Sequence, residues 1–159
     1  MATQTFTVEV HIATAKEHVG RFISDFANYG KIHPLITAIR SCPPRPGALL
    51  APADARRWYK VTDRLPLGPI AFRFTYDVAM AAAGPESLLF EAWQWPQIYL
   101  HNQTTWRAAE SGGTYLCEEV TVKAPRLLLS MVTRTAEQAH QRAFAALKAL
   151  LESESIRNR

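Results

Sequence analysis

Glu118 is the side chain in this sequence best placed to do acid–base chemistry inside a protein. It stands in the run Thr114 to Lys123, where Thr114, Leu116, Glu118, Val120 and Val122 share one face of a strand. Tyr115, Cys117, Glu119, Thr121 and Lys123 share the other, more polar face. Parity therefore puts a carboxylate among core residues. Burial is costly for a carboxylate unless it is paired or protonated, and it raises the pKa. Perturbed groups of this kind gather at functional sites, although structural ion pairs produce them too. Two roles stay open for Glu118: a proton-transfer group, or one half of a structural pair with an arginine. Arg73 and Arg107 are the arginines considered, and strand parity points Arg73 outward.

His101 is a second candidate acid/base. It closes the segment Trp93-Gln94-Trp95-Pro96-Gln97-Ile98-Tyr99-Leu100-His101, which is dense in aromatic and amide groups. The strand before Pro96 is apolar on both faces, so parity does not decide which of Trp93 and Trp95 points inward. Tyr59 and Tyr76 lie on apolar faces, where a phenol needs a hydrogen-bond partner. The five histidines include no pair at helical ligand spacing, and Cys42 and Cys117 are far apart, so no metal site is expected. Nucleophile-elbow, P-loop and dinucleotide-binding motifs are absent, and no cofactor is expected.

The elements that would position these groups read as follows. Thr5 to Ile12 alternates apolar and polar, the period of a half-buried strand. Thr14 and Glu17 have the spacing of a capping box, opening a helix that carries Val19, Phe22 and Ile23 and ends near Asp25. A second short helical piece covers Phe26 to Ile32 and stops at His33-Pro34. Strands follow over 35–41, 55–63, 70–80, 87–95, 98–108 and 114–123. The loop 43–47 carries three prolines, and Leu65 to Pro69 and Ser111-Gly112-Gly113 supply turns. From Pro125 to about Ser153 one long helix is predicted. Its inward stripe is large at the ends (Leu128, Val132, Leu147, Leu150) and small in the middle (Ala136, Ala139, Ala143). Close packing requires such small residues to face bulky ones or a void.

These segments resemble the SRPBCC, or START-like, helix-grip superfamily and its polyketide cyclase/dehydrase-like branch. The resemblance rests on Val8 to Ala13, on Val19 through Asp25-Phe26-Ala27-Asn28-Tyr29 followed by His33-Pro34, and on Gly112-Gly113-Thr114 with Leu116 and Glu118. Ala124-Pro125 before the terminal helix completes it. It covers nearly the whole chain and implies an α+β helix-grip fold: a seven-stranded antiparallel sheet wrapped around a long C-terminal helix, with two short helices after strand one. It also implies a cavity between sheet and helix. The expected walls are Tyr59, Phe74, Tyr76, one of Trp93 and Trp95, Trp106, Ala136, Ala139 and Ala143, with His33 near the mouth.

The 159 residues, 48 % hydrophobic and 20 % charged, suit a single globular domain over 1–159. The net charge of +4 is scattered, which argues against a nucleic-acid footprint. No segment is long and apolar enough to span a bilayer. Residues 1–15 lack the basic start and apolar run of a leader, and the two cysteines fit reduced thiols, so a cytoplasmic location is expected. The expected function is binding of a small, largely apolar molecule of polyketide, lipid or isoprenoid type. The alternatives are a polyketide cyclase/aromatase using Glu118 with Tyr76 or His101, and a protein-interaction module like the quinone- or ribosome-associated members of the superfamily.

Overall fold

The computed structural model describes residues 1–45 and 56–157. The strands are β1 (Ala2–Ile12), β2 (Ile36–Ser41), β3 (Arg57–Leu67), β4 (Ile70–Gly84), β5 (Ser87–Gln94), β6 (Ile98–Ala108) and β7 (Thr114–Ala124). They form one antiparallel sheet in the order β1-β7-β6-β5-β4-β3-β2. Between β1 and β2 lie helix α1 (Lys16–Ser24), a 3-10 turn (Phe26–Asn28) and the short helix α2 (Tyr29–Ile32). Helix α3 (Arg126–Arg157) closes the chain. It begins one residue after Pro125, whose carbonyl accepts the first backbone bonds from Leu128 and Leu129.

The alternation read from the sequence sets the faces. In β1 and β7 the even-numbered residues Phe6, Val8, Ile12, Leu116, Val120 and Val122 are buried beneath α3, which lies mainly on these two strands. The helix buries Thr133, Ala139, Ala143, Phe144, Leu147 and Leu151. Full burial of a leucine such as Leu147 or Leu151 is worth roughly 1.5–3 kcal/mol, which is how one apolar stripe holds a long helix in place. Gly20 of α1 lies so close to Trp106 that an added Cβ would stand 2.6 Å from the indole nitrogen. A side chain there would lift the helix off the sheet.

Three local readings are corrected. Thr14 does not cap α1. The N-cap is Ala15, with no side-chain bond, because the Thr14 hydroxyl bonds Ser155 and its carbonyl accepts from Thr114. Strand β3 runs on past Asp63 through Pro66. That proline is tolerated because the last backbone bond β3 gives on its β2 side is from the Arg64 amide to the Leu35 carbonyl, and Pro66 lies beyond it on an open edge. The turn is then Gly68-Pro69, with Gly68 at φ 61°. Strand β4 extends to Gly84 because Ala81 and Ala82 continue the ladder with Leu89 and Leu88. The expected start of β3 at Ala55 and part of the proline-rich loop lie outside the described residues.

Candidate functional site

Glu118 is buried, as its parity requires, but its partner is a histidine. Cross-strand neighbours Val8 on β1 and Thr104 on β6 flank it, and His140 comes down from α3 above. His140 Nδ1 lies 2.5 Å from Oε2. The Thr104 hydroxyl donates to Oε1 at 3.0 Å and Asn102 Nδ2 approaches the same oxygen at 3.5 Å. Both carboxylate oxygens are thus held, and the imidazole is oriented through one nitrogen. Among the described residues Nε2 of His140 has no hydrogen-bond partner, and the side chain keeps 15 % of its surface exposed.

Two further groups complete the cluster. The His33 ring stands edge-on to His140, with centroids 5.6 Å apart and planes at 89°. Its Nδ1 accepts from the Leu35 amide at 3.4 Å. Asp63, on the inward face of β3, accepts a bond from the Tyr76 hydroxyl at 3.2 Å through Oδ2. Its other oxygen is buried with no partner.

The charges follow from these contacts. Burial pushes the Glu118 carboxyl up, but the His140 charge and the hydrogen bonds from His140, Thr104 and Asn102 outweigh it and hold the pKa below the usual value. For His140 burial acts downward, and the Glu118 carboxylate overcomes it, so the imidazole pKa is raised. His33 is lowered to about 3, first by burial and then by the neighbouring His140 charge. Asp63 is raised to about 6 by burial, against the Tyr76 bond and the His140 charge. Burial, with the Asp63 charge, drives Tyr76 well above its ordinary value. Below pH 6.5 the cluster holds an ion pair between Glu118 and His140, a neutral imidazole in His33, and in Asp63 a carboxyl that titrates at about 6. That is a set of groups able to bind, give and take protons.

Beside this cluster the interior side of the sheet is less completely covered. Because α3 covers β1 and β7, the inward faces of β4, β5 and β6 are only partly roofed. Phe74, Tyr76, Ala92 and Leu100 point inward yet stay half-exposed, and so do Val132 and Ala136 on the facing side of α3. A separate surface pocket of about 290 Å³, between α1 and the β4–β5 turn, is bordered by Lys16, Glu86 and Trp106 and does not include the cluster.

The expected wall residues divide. Tyr59, Phe74, Tyr76, Trp106, Ala136, Ala139 and Ala143 all lie on the interior side, with Tyr59 stacked on Phe26 at 4.6 Å. Trp106 packs beneath α1, while Ala139 and Ala143 are closed off by packing. His101 is not in the interior: it pairs across strands with Glu91 and Thr121 on the opposite face of the sheet. The even residues of β6 face inward, so this odd-numbered histidine cannot. Trp93 shares that outer face, stacked on Trp58 at 5.5 Å and 15°. Trp95 has left the strand for the β5–β6 turn and is 86 % exposed. Neither tryptophan lies on the inner face. Arg73 and Arg107 are exposed, Arg107 over the Tyr115 ring, and neither pairs with Glu118.

Sequence reasoning missed His140, Asp63, Asn102 and Thr104. Each carried a signal. His140 lies four residues after Ala136 and three before Ala143, on the helix stripe itself. Asp63 continues the alternation Tyr59, Val61. Asn102 and Thr104 share parity with Leu100 and Trp106. Among the described residues no group of three His, Cys, Asp or Glu is arranged to hold a metal ion.

No protein-family model and no curated protein matches the chain. Solved structures do. The di-domain ARO/CYC StfQ from the steffimycin biosynthetic pathway superposes with a TM-score of 0.72 at 10 % identity, over 96 % of this chain and 52 % of that one. The di-domain ARO/CYC BexL from the BE-7585A biosynthetic pathway gives 0.66 at 13 %, over 95 % and 49 %. This chain thus spans about half the length of either. A START superfamily protein from Mycobacterium smegmatis gives 0.66 at 16 % identity, over 95 % and 97 % of the two chains. The fold is the helix-grip fold of SRPBCC and START-like proteins.

Proposed function

We propose that this protein binds a small, largely apolar molecule carrying a hydrogen-bonding group, of polyketide, lipid or isoprenoid type, in the cleft between α3 and β4–β6. The observation that carries the reading is that inward-facing Phe74, Tyr76, Ala92, Leu100 and Ala136 are only half-buried, while the inward positions of β7 are all buried. Apolar walls with a few placed polar groups are the usual make-up of a ligand site. Here the polar group is Nε2 of His140, with the buried Asp63 carboxylate behind it. Native mass spectrometry of protein purified from its own host tests the reading. A copurified small molecule, released by organic solvent and absent from Ala136→Trp, is the expected result. The same adduct on both proteins would put the ligand elsewhere.

The Glu118–His140 pair favours a second reading, proton-transfer catalysis of cyclase/aromatase type. In that reading the cleft folds a poly-β-carbonyl chain. The deprotonated form of His140, oriented by Glu118, takes a proton from carbon and, once protonated, returns it to the leaving hydroxyl in the dehydration that follows aldol closure. Superposition with two ARO/CYC proteins supports the class and leaves the reaction to this chain's own residues. Glu118→Gln would then cut turnover of such a chain by ~10²–10⁴-fold. Unchanged turnover in a folded Gln variant would remove the pair from the chemistry.

A further inference from the structure

We propose that the end of the molecule at which α3 begins docks on an anionic lipid surface. Antiparallel order brings five features to that end: the start of β1, the β3–β4 hairpin tip, the β5–β6 turn, the end of β7 and the first turns of α3. The exposed large hydrophobic residues among the described residues are gathered there. They are Met1 (54 %), Ile70 (61 %), Phe72 (54 %), Trp95 (86 %), Leu127 (97 %) and Met131 (56 %), and only Ile156 lies elsewhere. One such side chain needs no explanation, but a set confined to one end does.

The charge at this end is of one sign. The stretches 64–73, 94–99 and 122–136 contain no aspartate or glutamate, while Arg64, Arg73, Lys123, Arg126 and Arg134 are all exposed there. Acidic side chains collect at the far end, where Glu86, Glu152 and Glu154 engage Lys16, Lys148 and His18. The molecule is thus polarised, with a basic apolar end and a mixed, internally paired one. Basic residues that ring exposed apolar side chains complement an anionic bilayer: the apolar groups enter the headgroup boundary and the cations meet lipid phosphates. Trp95 has the amphipathic ring favoured at that depth. The apolar groups sit on separate tips — a hairpin, a turn and a helix end — which suits a fluid interface better than a shape-matched protein groove. The proposal goes beyond ligand binding in the cleft and stands or falls independently of it.

The test is sedimentation of the full chain with vesicles of phosphatidylcholine, alone or with about 30 % phosphatidylserine. Co-sedimentation with the anionic vesicles, weakened by salt, is expected, with a blue shift of Trp95 emission that Trp95→Ser removes. Each basic residue at such a surface is worth roughly fivefold in partitioning, so Arg64→Glu with Arg126→Glu should lower it by about tenfold or more. Leu127→Asp should lower it as well without loss of fold, because Leu127 makes no packing contact to lose and an acid is favourable in a helix's first turn. No sedimentation with anionic vesicles overturns the proposal. So does equal partitioning of wild type and both variants. Salt-sensitive retention on heparin without vesicle binding would assign the surface to an acidic polymer instead, and would overturn it too.

Discussion

Glu118 and His140 each set the proton of the other, and the sign of that coupling fixes a pH window. Glu118 has a folded pKa below its unfolded 4.5, so its stabilising contribution is present above 4.5 and is lost as pH falls through the folded value. His140 has a folded pKa above its unfolded 6.5, so its contribution is present below 6.5 and is lost as pH rises through the folded value. Both contributions are therefore complete only between 4.5 and 6.5. The melting-temperature gap between wild type and the double variant Glu118→Gln/His140→Phe should be widest in that window. A gap that is flat with pH would contradict the pairing. In Glu118→Gln burial is the main influence left on His140, so its imidazole should lose its proton, and the single variant should show the same flattened pH dependence as the double variant. The two histidines give a sharper reading. Imidazole nitrogen NMR at pH 6 should find His140 protonated and His33 neutral, since His33 is held down to about 3 by burial and by the His140 charge. Two histidines titrating together near the ordinary value would remove the electrostatic basis of the site.

At the scale of elements, what matters is how closely α1 and α3 are seated on the sheet. Gly20→Ala would drive a methyl against the buried Trp106 indole, and overpacking of this kind costs typically ~1–3 kcal/mol. Its melting temperature should fall clearly. By contrast Ala145→Trp, on the exposed side of α3, should melt close to wild type. Much of this seating was legible beforehand: the alternation in β1 and β7 gave their inward faces, Pro125 marked the helix start, and the alanines at 136, 139 and 143 do face inward. The two tryptophans and His101 were not legible, for a physical reason. Trp58, Ala79, Ala81 and Glu91 are buried on the outer face of the sheet, so β5 is apolar on both sides and its parity carries no information. In β6 the inward face mixes Ile98, Leu100 and Trp106 with Asn102 and Thr104, which serve Glu118, so the contrast between its two faces is blurred at His101. His140 lies on an apolar helix stripe with no histidine at metal-ligand spacing, and its partner Glu118 comes from a strand 22 residues away, so nothing local to α3 marks it.

For the molecule as a whole, a buried, paired acid–base cluster lies beside the less covered, largely apolar part of the sheet's inner face. The proposed cleft lies where α3, seated on the β1–β7 side, leaves the seven-stranded sheet less covered. Filling it should therefore cost little stability while abolishing ligand uptake. Equilibrium titration of 1-anilinonaphthalene-8-sulfonate into wild type, Ala136→Trp and the control Ala145→Trp measures this directly. Ala136 is half-buried at the cleft, and Ala145 is exposed on the opposite side of the same helix. Saturable probe binding is expected in wild type and in Ala145→Trp, with its loss in a folded Ala136→Trp. Probe binding that is equally strong in all three folded proteins would contradict a ligand site in the proposed cleft.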